Sequence, residues 1–321
     1  YQGSSSIICN RIDGCRKVNG SESIWDALSK QGMSNQDILL SLCRAANVDP
    51  PSKDKKESPS YSASKAIVSI TQHFAKVKYL DKMKEFAKNR SYSMKDLEEM
   101  ELGYYPSAAE VEYALKGMKC NIEECITLGF LPSLEFENYD PFANRVVGFW
   151  KQEDRTVRLW GRVIEKNTLP KVKKILFSSG SSKKIPYLFD RYKKGPVVIQ
   201  EGPLDAWAVR LIGDYRACAC GGAVINDEQL EYLASCGITE IIYLADADNA
   251  GVMGSIRTIK NAYHHNINLL IGKLPREQAS QKASDPDELR VTGKGDLVSE
   301  CIDNAYGAGD FLARIYIHSS Q

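Results

Sequence analysis

The chain has 321 residues, 43% hydrophobic and 26% charged, enough apolar material for two or three packed domains and too much for a disordered chain. No apolar run approaches the roughly 18 residues of a membrane helix, and Asn10, Arg11, Asp13 and Arg16 interrupt the place of a signal-peptide core. Nine irregularly spaced cysteines fit reduced thiols better than a disulfide framework, so a soluble cytoplasmic protein without a membrane partner is expected.

In chain order, residues 1–49 hold "IICNRIDGC" and then a helical pattern from "SESIWDALSKQG" onward, with Ser21 as a plausible N-cap. Residues 50–63, within "DPPSKDKKESPSYSA", read as a linker. Residues 64–130 alternate helical patterns with short polar breaks, and 140–195 turn strand-rich, so 64–195 is expected to form a mixed α+β subdomain. That subdomain is basic. From 144 to 195 there are fourteen Lys or Arg against four acids, a local +10 inside a chain of net charge +1, which leaves −9 for the remainder. Phe149, Trp150, Trp160, Phe177, Tyr187 and Phe189 are interleaved with these charges. Aromatic and basic residues on one sheet suit phosphate contact with base stacking; core packing is an equally good reading of the rings.

Residues 196–290 differ in kind. "PVVIQE", "YRACACGG", "TEIIYLAD" and "INLLIGKL" read as strands, separated by the helical "GPLDAWAVRLIG", "INDEQLEYLASCG" and "AGVMGSIRTIKNAYHH". Continuously apolar strands alternating with helices predict a mostly parallel sheet flanked by helices, with ligand sites at the C-terminal ends of its strands. Residues 291–321 read as a C-terminal helical segment.

Three acidic clusters fall at or after those strand ends: Glu201 with Asp205, Asp246 with Asp248, and Asp285 with Asp287. Gly202 and Pro203 suit a turn into a helix, and the Ala250–Gly251 step leaves room for close approach. Any one of these acids could be a helix cap or a solvated loop residue. Together they repel one another unless a cation is present, and hard oxygen donors without paired His or Cys point to Mg²⁺ or Mn²⁺.

"VVIQEGPLDAWAV", "YLADADNAGV" and "SDPDEL" resemble the three acidic motifs of the TOPRIM domain shared by DnaG-type primases, topoisomerases and some nucleases. Upstream, "FAKNRSYSMKDLEEMELGYYPS", "GFL", "FANRVVGF", "WGRVI", "LPK" and "YLFDRYKK" occur in the order of a DnaG-type catalytic core, so the resemblance covers about residues 75–290. It implies template-directed synthesis of short RNA primers from nucleoside triphosphates on single-stranded DNA by two-metal nucleotidyl transfer. It implies Glu201, Asp205, Asp246, Asp248, Asp285 and Asp287 as metal ligands, with Glu201, Asp246 and Asp248 catalytic and Glu201 also a candidate general base. Arg145, Arg162 and Lys171 match positions that face template and nucleotide, joined by Lys183 or Lys184.

Other TOPRIM chemistry is the alternative. A topoisomerase needs a nucleophilic tyrosine on a large further domain, whereas a nuclease needs nothing more than is here; a non-catalytic relative binding single strands is disfavoured, because all the expected acids remain. The sequence departs from the family at Gly221–Gly222, where a Gly-Thr step is common. Some thirty residues follow Glu288, so a replicative helicase is expected as a separate partner. Cys9 and Cys15 resemble the second half of a primase zinc ribbon without the first, and two thiols do not make a four-ligand zinc site.

Overall fold

The computed structural model describes residues 59–133, 140–153, 155–164, 173–179, 183–246, 248–275 and 285–319, together with a few positions between 30 and 41. Residues 1–58 and 59–321 form two units, and the second carries the fold. Cys9, Cys15 and Lys171 lie outside the described residues. Among the described residues no helix is long and apolar enough to cross a membrane, and the six described cysteines are free thiols.

The second unit begins with α1 (Pro59–His73), a π-helical turn (Phe74–Lys78), α2 (Leu80–Asn89) and α3 (Met94–Glu99). Residues 59–63, expected in the linker, therefore open a helix, and Ala63 is buried in its packed face. A strand, β1 (Gly103–Tyr105), follows where helical pattern was expected, and then α4 (Ala108–Gly117) and α5 (Ile122–Thr127). Polar caps set these starts: Ser93 and Asp96 form a capping box on α3, and Ser107 and Asn121 cap α4 and α5. With β2 (Arg145–Gln152), β3 (Arg155–Val163) and β4 (Ile175–Phe177), β1 completes an antiparallel sheet in sequence order.

Both faces of this sheet are covered. Val146, Trp150 and Trp160 pack with Tyr104 and Tyr187 on one side, and Val147, Phe149 and Leu159 with Tyr105 and Phe142 on the other. Trp150 and Trp160 have no exposed surface, so these rings are core and not stacking platforms. The register places Gly148 opposite Trp160, and a Cβ at Gly148 would fall 2.2 Å from the indole, which explains the glycine inside the strand.

The remaining elements are β5 (Val197–Gln200), α6 (Pro203–Ile212), β6 (Arg216–Ala219), α7 (Asp227–Ser235), β7 (Glu240–Ala245), α8 (Asn249–His264), β8 (Asn268–Lys273), α9 (Pro286–Val291), α10 (Gly295–Asp303), β9 (Tyr306–Gly307) and α11 (Ala308–Ser319). They build a five-stranded sheet of order β6-β5-β7-β8-β9, parallel except for β9. Alternate residues serve opposite cores. Val197, Ile199, Ile241 and Tyr243 meet α7, α8 and α11, while Val198, Ile242 and Leu244 meet α6, α9 and α10. This double burial is why the strands read as unbroken apolar runs. The C-terminal segment is not purely helical: β9 adds the antiparallel edge, and Phe311 of α11 enters the core. The two sheets meet where Trp150, Trp160 and Tyr187 pack against Leu204, Ala206 and Ala219.

Candidate active site

The strand order turns back beside β5, whose neighbours are β6 and β7. A crevice opens at the C-terminal ends of strands at such a point. Glu201 follows β5 and Asp246 follows β7, and the Asp246 backbone N–H donates to Glu201 Oε1 at 3.4 Å. Asp205 stands on the first turn of α6, begun by Pro203. A Cβ on Gly202 would lie 2.4 Å from Asp205 Oδ2, so the glycine makes room for that carboxylate. Asp285 caps α9, accepting the Glu288 N–H at 2.6 Å. Glu201, Asp205, Asp246, Asp285 and Asp287 line a cavity of about 220 Å³, together with Arg90, Arg162, Phe177 and the Gly221–Gly222 loop.

The electrostatics are those of an acid cluster short of positive charge. Burial, then the Glu201, Asp285 and Asp248 carboxylates, push Asp246 from 3.8 up to about 8. Burial and the neighbouring Asp285, Asp246 and Asp287 hold Asp205 well above its ordinary range, opposed by Arg162. Burial also raises Glu201 and Asp285; the Asp246 N–H and the Glu288 N–H respectively work against it. Burial lowers Arg162, and Arg90 adds to that effect. Five acids thus face two arginines across one cavity. The donor set, hard carboxylate oxygens that repel one another, fits a divalent cation. Among the described residues no three side chains of the metal-ligating types already converge on one point, so these acids would have to draw together around an ion.

A pH dependence follows. Folded Asp246 keeps its proton up to about 8 while the unfolded chain gives it up near 3.8, so the native state binds more protons between these values. Metal-free protein should therefore lose thermal stability as pH rises through this window, and Mn²⁺ should restore most at the alkaline end. A melting temperature insensitive to pH from 5 to 9 without metal would contradict the charge crowding.

The expected site residues separate in space. Glu201, Asp205, Asp246 and Asp285 converge on the cavity, and Arg162 joins them. Asp248 is exposed and caps α8, its Oδ1 accepting the Gly251 N–H at 2.7 Å, so it lies on the rim and not beside Asp246 on a strand. Asp287, expected as a metal ligand, is 3% exposed and already engaged by Arg90, Tyr92 and Arg290. Arg145, expected to face the template, is instead a core residue, 4% exposed. Its guanidinium donates to the carbonyls of Pro141 at 2.8 Å, Lys173 at 3.0 Å and Lys174 at 3.3 Å, tying the segment before β2 to the one before β4. Lys183 donates to the Gly221 carbonyl and sits 4.5 Å from the Phe177 ring centroid; Lys184 is exposed. Arg90 stands in the quoted "FAKNRSYS" stretch but is not among the expected site residues, and packing brings it to the acids.

The Toprim-like family matches residues 198–289, the segment that holds every one of the clustered acids. The arrangement of both sheets is that of several solved structures. A DnaG primase catalytic domain bound to ssDNA matches with a TM-score of 0.67 at 19% identity, covering 81% of this chain and 83% of that one. This chain has the DnaG catalytic-core fold. The Aquifex aeolicus primase, with its zinc-binding and RNA polymerase domains, matches with a TM-score of 0.65 at 21% identity over 93% of this chain and 75% of that chain. In sequence, the DNA primase of Rickettsia prowazekii is 24% identical over 306 residues, 88% of this chain and 49% of the relative. The chain thus spans about half the length of the curated relatives it matches.

Proposed function

We propose that this chain is a DNA primase catalytic core, making short RNA primers on single-stranded DNA from nucleoside triphosphates. The observation that carries the reading is the convergence of Glu201, Asp205, Asp246 and Asp285 on one cavity at the strand ends of a Toprim-like domain, beneath a basic antiparallel sheet. Such acids would hold Mg²⁺ or Mn²⁺, which when bound supplies charge stabilisation at the transferred α-phosphate and the leaving pyrophosphate. The protein's own part is placement. Glu201, its carboxyl raised by burial, is suited to take the proton of the attacking 3′-hydroxyl. Arg162, its Nε buried without a hydrogen-bond partner among the described residues, is suited to meet phosphate. Lys183 braces the Gly221 turn beside the cavity. The sheet beneath Glu201 and Asp246 holds them rigidly, as an electrostatic mechanism requires. Asp248 on the rim would join when the ion binds, and a separate replicative helicase is the expected partner.

The test is incubation with single-stranded template, labelled ribonucleotides and Mn²⁺ or Mg²⁺. New short RNA supports the reading; strand cleavage would make the chain a Toprim nuclease, and binding without either product a non-catalytic relative. Arginine variants refine it. Arg162→Ala should flatten the salt dependence of single-strand binding by about 0.7 log units per log salt, one phosphate contact. Arg145→Ala should leave that slope unchanged and lower the melting temperature, because it removes the buried guanidinium that the Pro141, Lys173 and Lys174 carbonyls share. Equal slopes for both variants would place the strand elsewhere.

A further inference from the structure

Asp287 follows the helix cap Asp285 by two residues, yet its surroundings are of another kind. Arg90 forms an ion pair with its Oδ2, and its Oδ1 accepts the Tyr92 hydroxyl at 2.7 Å and Arg290 Nη2 at 3.0 Å. Arg290 reaches further, donating to the Arg90 carbonyl at 2.6 Å and the Ser91 carbonyl at 3.0 Å, with its guanidinium 4.1 Å from the Tyr92 ring centroid. The segment so gripped is the turn between α2 and α3, where Ser91 takes a left-handed φ of 52°. Residues 197 apart in sequence are joined here, and Arg90 lines the acidic cavity.

A carboxylate that accepts three bonds, two of them from guanidinium groups, has little lone-pair capacity left for a cation, and the adjacent positive charges oppose one. We propose that Asp287 and Arg290 are positioning residues, a clasp that holds the turn at Arg90 so that its guanidinium meets a phosphate group in the cleft, with Asp287 anchoring Arg90 and not ligating metal. Without the clasp, a long side chain on a strained turn would sample many rotamers, and the phosphate contact would lose its pre-organisation. The phosphate belongs to a nucleotide or to a strand, and this part of the inference rests on the polymerase reading.

The test compares Asp287→Asn, Arg90→Met and the double variant in three measurements on the full chain. Mn²⁺ binding to protein alone, followed by electron paramagnetic resonance, should be unchanged in all of them. The affinity for ATP with Mn²⁺, or for a labelled oligo-dT strand, should fall about tenfold in each single variant and no further in the double, since both remove one contact. Which of the two ligands responds identifies the source of the phosphate. A tenfold loss of Mn²⁺ affinity confined to Asp287→Asn, or additive losses in the double variant, would overturn the proposal. Should Asp287→Asn not fold, Tyr92→Phe takes its place: weaker phosphate binding with unaltered Mn²⁺ binding supports the clasp, and the reverse overturns it. If the wild type binds neither ATP nor the strand, the polymerase reading fails, and hydrogen exchange decides the clasp. Faster exchange at the amides of residues 91 and 92 in Asp287→Asn or Tyr92→Phe supports it, and unchanged exchange overturns it.

Discussion

Asp246→Asn should reduce nucleotide transfer by about 10²–10³-fold, the range found when one electrostatic contact to a reacting centre is removed, and should leave the fold intact. The side chain is isosteric, and its backbone N–H still donates to Glu201. What changes is charge at the most crowded point of the cavity, where burial and three neighbouring acids push Asp246 up to about 8. The unfolded carboxylate ionises above about 3.8 while the folded one holds its proton to about 8, so in the absence of metal the variant, which has no such proton, should be the more stable protein, with its largest margin at pH 8–9, a smaller one at pH 6 and near equality at pH 4. Added Mn²⁺ should raise the melting temperature of wild type and raise that of Asp246→Asn less, because one ligand and one charge are missing. Polymerisation at wild-type rates, with an equal thermal response to Mn²⁺, would remove Asp246 from the centre of the site and with it the proposed chemistry.

Gly251→Ala should be among the most damaging single-atom changes in the chain. Gly251 lies in the first turn of α8, and a Cβ there would stand 2.1 Å from the Asp246 carbonyl oxygen and 3.0 Å from its carbonyl carbon. Both neighbours are backbone, so neither can rotate away. Alanine in a helix gains about 1 kcal/mol over glycine, and the clash outweighs this, since overpacking against rigid atoms costs about 1–3 kcal/mol or more. To relieve it, α8 must move off the end of β7, carrying Asp248 with it and dragging at Asp246. The expected result is a clear fall in melting temperature together with weakened Mn²⁺ binding. An alanine variant with wild-type stability would mean that the close approach of helix and strand is not maintained in solution.

The parallel sheet and the acids at its strand ends were legible in the sequence because the signals are local. Apolar runs of four to six residues such as Val197–Gln200 and Glu240–Ala245, each followed by a turn and a helix start, specify a doubly covered strand, and Glu201 and Asp246 close those runs. Strand β9 was not legible: two residues, Tyr306 and Gly307, carry no periodicity, and only pairing with β8 defines them. The site's arginines show the limit most directly. Arg145 and Arg162 are both basic residues on strands of the same charged segment, and the sequence treats them alike. In the sheet, Val146 pairs with Arg162 while Arg145 pairs with Val163, so the two guanidiniums leave opposite faces. The face shared with Val146 looks toward the acids, and the other is buried in the helical core. A pleat reverses side-chain direction at every residue, and which face meets the second sheet is settled by packing between distant segments. The same holds for Arg90 and Asp287, whose contact spans 197 residues. Local chemistry determined which groups the chain carries to the end of a strand; the tertiary structure decided which of the opposite charges would meet them there, because a residue's face acquires meaning only when another element packs against it.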